Sequence, residues 1–507
     1  MADWPDATTF AQVWADAVAT RPDAAFLIFE APDGAITEWT YAEFDRVVAR
    51  LATELASHDV GPNVSVHLAL TNSPTFIAVW IATIRLGGWI VPSDPMGRTA
   101  EFADHIERTS PVAGFFAQDR SEAYCAAAGG IALFPTDETD AEFAWLPDEE
   151  FTDWPQPATI DTAAVMFTSG TTGRPKGVVI SQANYAFAGK TMAEAAALTA
   201  DDRHLVVLPM FHANAQYYSF ASAIWAGASV ALMHTFSASG FLPQAARHAA
   251  TCASLFAAPL RMILARGAAT DGVQLRHCWF AQNISDDQYE TVVDWFGCRP
   301  RQLYGMTETI PAVLTDAADD PRPDAMGFVT GGCDVEIHDA DGTELPAGAV
   351  GEVVVRGTPG ITLFTEYLAD ADTTASSFRG VWFRTGDRAS RDVDGRFFFD
   401  GRRSDVLKVA GENVSTVEVE AVLAAHPAVL EASVVGAPDD VRDEVPVAFV
   451  VASDPDAPPT VDDLLDWCRS RLGKAKQPRD ITLLDELPRT SVGKIRKFML
   501  KEEVLQS

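Results

Sequence analysis

Along the first 160 residues, apolar side chains recur at two spacings that alternate along the chain. Residues Phe10–Val18 and Thr40–Leu55 carry them at helical intervals, whereas Val64–Leu70 has the length and composition of a strand. That strand leads into the apolar segment Phe76–Ile84 and then into Trp89–Pro92. Strand, helix and strand in that order predict a parallel sheet with helices on both faces. Ala163–Phe167 reads as a further buried strand, and a second unit of the same kind follows it. In that unit Leu205–Pro209 runs through Phe211 and His212 into a helix, then Ala228–Met233 leads into a helix reaching about Thr251. After Asp334 the signal changes to short strands with Asp-Gly turns at Asp341-Gly342 and Asp394-Gly395, which predict a small β-rich subdomain. Beyond Asp405 a helix over Val417–Ala425 and strands over Val429–Val435 and Pro446–Val451 predict a compact α+β unit. The expected class is α/β: a large N-terminal domain of two βαβ-type, parallel-rich sheets with helices and the β-rich subdomain, followed by the small α+β C-terminal domain.

Length adds that one core is not enough, since single cores stop growing at roughly 250–300 residues and this chain has 507. No apolar run is long enough to span a bilayer; Phe76–Ile84 is broken by Arg85 and reads as a core helix. Met1–Asp6 has neither a basic segment nor an apolar stretch, so no signal peptide is expected and the protein is read as cytoplasmic. A net charge of −33 argues against nucleic acid or an anionic membrane as partner, because binding phosphates takes clustered Lys and Arg. The six cysteines, Cys125, Cys252, Cys278, Cys298, Cys333 and Cys468, have no metal-ligand spacing and are expected as reduced core residues. Only eight lysines are present, and three of them fall in motifs: Lys176 and Lys494 in those described next, and Lys408 in Lys408-Val409-Ala410-Gly411-Glu412-Asn413, the segment of Gly411.

Thr168-Ser169-Gly170-Thr171-Thr172-Gly173-Arg174-Pro175-Lys176-Gly177 packs small hydroxyl residues and glycines around a lysine. Glycines let consecutive N–H groups converge on an anion, and the hydroxyls and ammonium add donors without bulk. A Walker A loop needs Gly-Lys-Ser/Thr opening a helix; here Pro175 precedes the lysine and Gly177 follows it. The order of residues resembles the phosphate loop of the adenylate-forming superfamily, which includes acyl-CoA synthetases, nonribosomal peptide adenylation domains and beetle luciferases. Four more motifs resemble that superfamily in the same order: Tyr304-Gly305-Met306-Thr307-Glu308-Thr309, Phe383-Arg384-Thr385-Gly386-Asp387, Gly401-Arg402-Arg403-Ser404-Asp405 and Pro488-Arg489-Thr490-Ser491-Val492-Gly493-Lys494.

The resemblance implies an AMP-binding N-terminal domain over residues 1–400, with the β-rich part from about 327, a hinge at 401–404 and a mobile lid over 405–507. It implies ATP, Mg²⁺ and CoA as ligands. Thr168, Ser169, Gly170, Thr171, Thr172, Gly173 and Lys176 would cradle the β- and γ-phosphates; Thr307 would touch the α-phosphate, with Glu308 as the metal ligand. Ala281, Gln282, Tyr304 and Gly305 would form the adenine site, and Asp387 and Arg402 would hold the ribose. Lys494 would bridge acid and α-phosphate during adenylation, and Gly411 would line the pantetheine tunnel after the lid rotates. Two positions depart from the family: Ser404 stands where the hinge usually carries Asp or Lys, and Phe280-Ala281-Gln282-Asn283-Ile284-Ser285 replaces a Gly-Gly-Ala-Pro-like segment.

Phe211–Tyr218 matches the segment that opens the acyl pocket. Amino-acid-activating members place an aspartate where His212 stands, so an α-amino acid is disfavoured; His212 counts here with Lys494, Thr307 and Glu308 as catalytic. His212, Asn214, Gln216, Tyr217, Gln282 and Asn283 would make a pocket too polar for a long fatty acid, or would satisfy one another in the core. Carnitine- and crotonobetaine-type CoA ligases look similar in this segment. The leading expectation is an ATP-dependent, AMP-forming acid:CoA ligase acting on a small carboxylic acid, as a monomer or homodimer. The alternatives are an adenylating enzyme with an amine or carrier-protein acceptor, and a nucleotide-binding protein without catalysis, against which the intact Glu308, Asp387, Arg402 and Lys494 argue.

Overall fold

Helix boundaries in this chain are written by short polar residues. Thr40 accepts from the backbone N–H of Glu43 while Glu43 reaches back to the Thr40 N–H, and this reciprocal cap starts the helix Tyr41–Ser57. Its Phe44, Val48, Leu51 and Leu55 are buried on one face. Ser73 caps the helix Pro74–Arg85 with Pro74 in its first turn. That helix is buried from Pro74 to Ile84, and Arg85 ends it in an ion pair with Asp45 at 2.5 Å, under the Trp154 ring. A core helix is what the charge at its end predicts. Among the described residues no helix is long and apolar enough to cross a membrane. The structure is a computed structural model, and it describes residues 7–168, 175–267, 270–402, 406–410, 412–439, 442–489 and 495–506.

Two parallel-rich sheets share one large core. The six-stranded sheet runs in the order Ala132–Thr136, Ala113–Ala117, Ser65–Ala69, Trp89–Pro92, Thr162–Thr168 and Lys176–Ser181, all parallel except the last pair. The nine-stranded sheet is parallel from Arg301–Tyr304 through His277–Ala281, Cys252–Phe256, Arg203–Val206 and Ser229–Met233 to Ala25–Glu30, with antiparallel strands added at both edges. The β-rich sheet, built on Asp334–His338, Val350–Arg356, Trp382–Arg391 and Phe397–Arg402, sends Val353, Phe383 and Phe397 into that same core. The C-terminal α+β unit has separate cores around Leu407, Val434 and Leu464 and around Val447, Phe449 and Leu500.

Three expectations change. The helix after Phe211 is a π-helix over Asn214–Ala221, a form that appears mostly as single turns and frequently at functional sites. The helix expected to reach Thr251 is the shorter Phe241–Arg247, because His248 turns in to meet buried Glu30 at 2.6 Å. All six cysteines are free; Cys252, Cys278 and Cys468 are buried, but Cys125 is exposed and not a core residue.

Candidate active site

The strands Thr162–Thr168 and Lys176–Ser181 form an antiparallel hairpin in which Thr168 lies opposite Lys176. Ser169, Gly170, Thr171, Thr172, Gly173 and Arg174 between them lie outside the described residues, as do Ser404, Gly411 and Lys494. The two roots of the loop are held by one helix, Thr99–Thr109. His105 stacks on Phe167 with ring centroids 3.9 Å apart and planes 5° apart, and Arg108 donates to the Pro175 carbonyl at 2.8 Å. Behind His105 runs a buried polar chain: Ser93 Oγ lies 2.7 Å from His105 Nδ1 and 2.9 Å from His67 Nε2, and the Tyr124 hydroxyl lies 2.9 Å from His67 Nδ1. Burial holds both imidazoles well below their usual range, His67 down to about 3 and His105 to about 4, so both are neutral at physiological pH.

Thr307–Thr309 forms a single 3₁₀ turn closed by the Thr309 hydroxyl, which accepts from the Met306 N–H at 3.0 Å. Ile310, which follows, has φ 71° and ψ −78°, a strained backbone for a β-branched residue. Strain of this kind costs on the order of 1–3 kcal/mol and gathers at functional sites. It turns the chain so that the Glu308 carboxylate is buried and accepts from the Tyr367 hydroxyl at 2.9 Å. Tyr367 also lies beneath Lys176, whose ammonium is 4.6 Å from the ring centroid. Lysine, tyrosine and glutamate thus form one contiguous group at the end of the hairpin.

A second group sits on the β-rich sheet. Asp387 and Arg402 are cross-strand partners, and Arg402 Nε donates to Asp387 Oδ1 at 3.1 Å while the Tyr304 hydroxyl donates to Oδ2 at 2.7 Å. Burial and the neighbouring carboxylate push the Tyr304 phenol well above its usual range and keep it a donor. Three residues chosen from separate motifs therefore meet on one carboxylate.

The expected acyl-pocket residues divide. Asn214 is buried, and neither its amide nitrogen nor its oxygen has a hydrogen-bond partner. His212 presents its ring edge to Phe256 at 6.0 Å, and its Nδ1 accepts weakly from the Asn214 N–H at 3.4 Å. Gln216 is instead spent inside the core: Tyr185 donates to its Oε1, and its Nε2 donates to the Met210 carbonyl at 2.6 Å. Tyr217 is fully buried, with its hydroxyl against Met166. Ala281 is half-buried and Gln282 is exposed, with φ 75°; Asn283 is exposed too, and its Oδ1 accepts from Gln302 at 2.9 Å. The amides of Gln216 and Asn283 thus bond to protein groups, Tyr185, Met210 and Gln302, and not to one another. Tyr218, by contrast, points at Gly305: a Cβ there would lie 2.9 Å from its hydroxyl and 2.9 Å from the Pro311 carbonyl, so glycine is what lets these segments meet. Tyr367 and the His105–Arg108 grip on the loop carry none of the motifs read from the sequence; pairing across the fold is what reveals them.

Among the described residues no group of three or more His, Cys, Asp or Glu could hold a metal ion. One buried carboxylate beside a phosphate-loop lysine fits magnesium instead, a hard cation that is held by one or two carboxylates and substrate phosphates.

A family model described as AMP-binding enzyme matches residues 14–368, and one described as AMP-binding enzyme C-terminal domain matches residues 418–494. The crotonobetaine/carnitine–CoA ligase of Salmonella arizonae is 34% identical over 512 residues, covering 97% of this chain and 98% of that protein. The ligase of the same name from Salmonella typhimurium is 33% identical with the same coverage. Among solved structures, ATP-bound MatB from Rhodopseudomonas palustris superimposes with a TM-score of 0.87 at 25% identity over 98% of this chain and 99% of its own. The o-succinylbenzoate CoA synthetase MenE from Bacillus subtilis, in complex with AMP, gives 0.83 at 27% identity over 96% and 98%.

Proposed function

This chain belongs to the AMP-binding enzyme family and is an ATP-dependent, AMP-forming acid:CoA ligase, and we propose that its acid is short and carries a hydrogen-bonding group besides the carboxylate. The observation that carries the proposal is Asn214, a buried amide with both ends unpaired in the segment that opens the acyl site. An unpaired buried polar group costs about 1–3 kcal/mol, which a substrate with a matching group relieves and an alkyl chain does not. That curated relatives are named for crotonobetaine and carnitine, both short and functionalised, supports the same reading.

In the first half-reaction a carboxylate oxygen of the acid attacks the α-phosphorus of ATP and the bond to pyrophosphate breaks. Charge builds on phosphorus and on the leaving group, so the protein's contribution is positioning and cations. In this reading Asp387, oriented by Tyr304 and Arg402, takes the ribose hydroxyls, Thr307 meets the α-phosphate, and Lys176 with the loop residues holds the β- and γ-phosphates. Glu308 would hold magnesium, which when bound screens the phosphate charge. In the second half-reaction the CoA thiol sulfur attacks the acyl carbon, its proton is lost, and AMP leaves.

ATP–pyrophosphate exchange over a panel of acids tests the acid class, with CoA-dependent AMP release as the second readout. Short acids with a hydroxyl, amide or ammonium group are expected to give the highest kcat/KM. Asn214→Leu is expected to cost the best of them roughly tenfold, the worth of about one hydrogen bond, while sparing or improving butyrate-like acids. Palmitate matching or beating every short polar acid would overturn the reading.

A further inference from the structure

We propose that Tyr367 is a positioning residue for adenylation, setting the Glu308 carboxylate with its hydroxyl and the Lys176 ammonium with its ring. The proposal rests on the reading that Glu308 is the magnesium ligand. The segment carrying Tyr367 is stitched to both partners by backbone hydrogen bonds. Leu368 N–H donates to the Gly177 carbonyl at 2.7 Å, Val179 N–H to Glu366 at 3.0 Å, and Thr365 N–H to Val179 at 2.9 Å, which makes an antiparallel bridge between Tyr367 and Val178 at the edge of the phosphate-loop hairpin. At its other end, Phe364 N–H donates to the Glu308 carbonyl at 2.9 Å. The Tyr367 ring is 4% exposed and packs on Phe364 at 4.9 Å, and its own N–H donates to the Thr374 hydroxyl at 2.9 Å, so neither backbone nor ring has room to drift.

The chemistry of the two contacts suits a ligand pair that must stay charged. A phenol donates to one lone pair of the Glu308 carboxylate and fixes its rotation while leaving the charge for a cation; a lysine or arginine in that place would neutralise it. The ring face holds the Lys176 ammonium by cation–π attraction, which aims it without cancelling its charge. One side chain thus sets the relative position of the two groups that meet opposite ends of the triphosphate's charge.

The test uses the full chain with Mn²⁺ in place of Mg²⁺, its binding read from the manganese EPR signal in the presence of saturating ATP and no acid. Metal-free ATP binding is measured by calorimetry in EDTA. Tyr367→Phe is expected to weaken Mn²⁺ by about ten- to hundredfold, as expected for a lost hydrogen bond to a charged group, with metal-free ATP affinity and Tm near wild type. Tyr367→Leu, which also removes the ring, is expected to weaken metal-free ATP several-fold, roughly a cation–π contact. Glu308→Gln is expected to weaken Mn²⁺, and Tyr367→Phe added to it should change nothing more. Wild-type Mn²⁺ affinity in Tyr367→Phe alongside a weakened Glu308→Gln would overturn the role of Tyr367 alone. Equal losses of Mn²⁺ and metal-free ATP in Tyr367→Phe would make the tyrosine merely structural and also overturn it. Unchanged Mn²⁺ affinity in Glu308→Gln would instead remove Glu308 as the ligand.

Discussion

Lys494→Ala is expected to lower ATP-dependent adenylation by roughly 10²–10³, the usual cost of losing one positioned transition-state donor, while acyl transfer to CoA from a synthetic acyl-adenylate falls far less. A lysine ammonium, a compact charge on a four-carbon stem, suits a contact needed in one half-reaction only. Charged residues within and just after its motif act on charges of the N-terminal domain. Arg489, paired with Glu431, lies close enough to body residue Arg261 for both charges to act on it. Arg496 likewise acts on Glu101, whose carboxyl is raised by burial and by Asp94. The decisive measurement is ATP–pyrophosphate exchange beside single-turnover thioester formation. Matched losses in both would make Lys494 structural, and undiminished exchange would remove it from the mechanism.

Acid is expected to unfold the N-terminal domain well above the range of ordinary carboxylates. Burial depresses four histidines, His67 to about 3, His105 and His204 to about 4, and His277 well below its usual 6.5. Each stays neutral in the folded chain and takes up a proton on unfolding once the pH is below 6.5, so the unfolded state binds more protons and stability falls as pH falls from 6.5 toward 4. At about 1.4 kcal/mol per pH unit for each histidine, four of them remove about 5 kcal/mol per pH unit, against a total stability of about 5–15 kcal/mol. The lowered carboxyls of Glu30, Glu138 and Asp202 act in the same direction at lower pH still. Urea unfolding midpoints should therefore drop steeply between pH 6.5 and 5. His204→Phe should reduce the slope by about one proton and leave stability at pH 7 equal or higher, because neither His204 ring nitrogen has a hydrogen-bond partner. A midpoint that stays constant from pH 7 to 5 would refute the account.

What the sequence determined by itself was local. Apolar spacing places Trp89–Pro92 as a strand and Phe76–Ile84 as a buried helix, since a strand's burial pattern and a helix's terminal charge are properties of a few consecutive residues. The motif residues were legible for the same reason: a phosphate loop needs small hydroxyl and glycine residues in a row, and a ribose-binding carboxylate needs its short turn. Composition could not say which polar side chains are spent on the fold. Gln216 and Asn214 sit two positions apart with the same chemical group, yet Gln216 is consumed by Tyr185 and Met210 while Asn214 keeps both ends unpaired. The π-helix that carries them, the strained Ile310 and the meeting of Tyr304, Asp387 and Arg402 depend on contacts between segments up to about 100 residues apart. Tyr367 is the plainest case: nothing in Thr365-Glu366-Tyr367-Leu368 marks it, and only when that segment pairs with the phosphate-loop hairpin do its ring and hydroxyl come to lie between Lys176 and Glu308. A hydrogen-bond donor acquires a role only when the fold brings an acceptor to it, and that is decided by packing at long range.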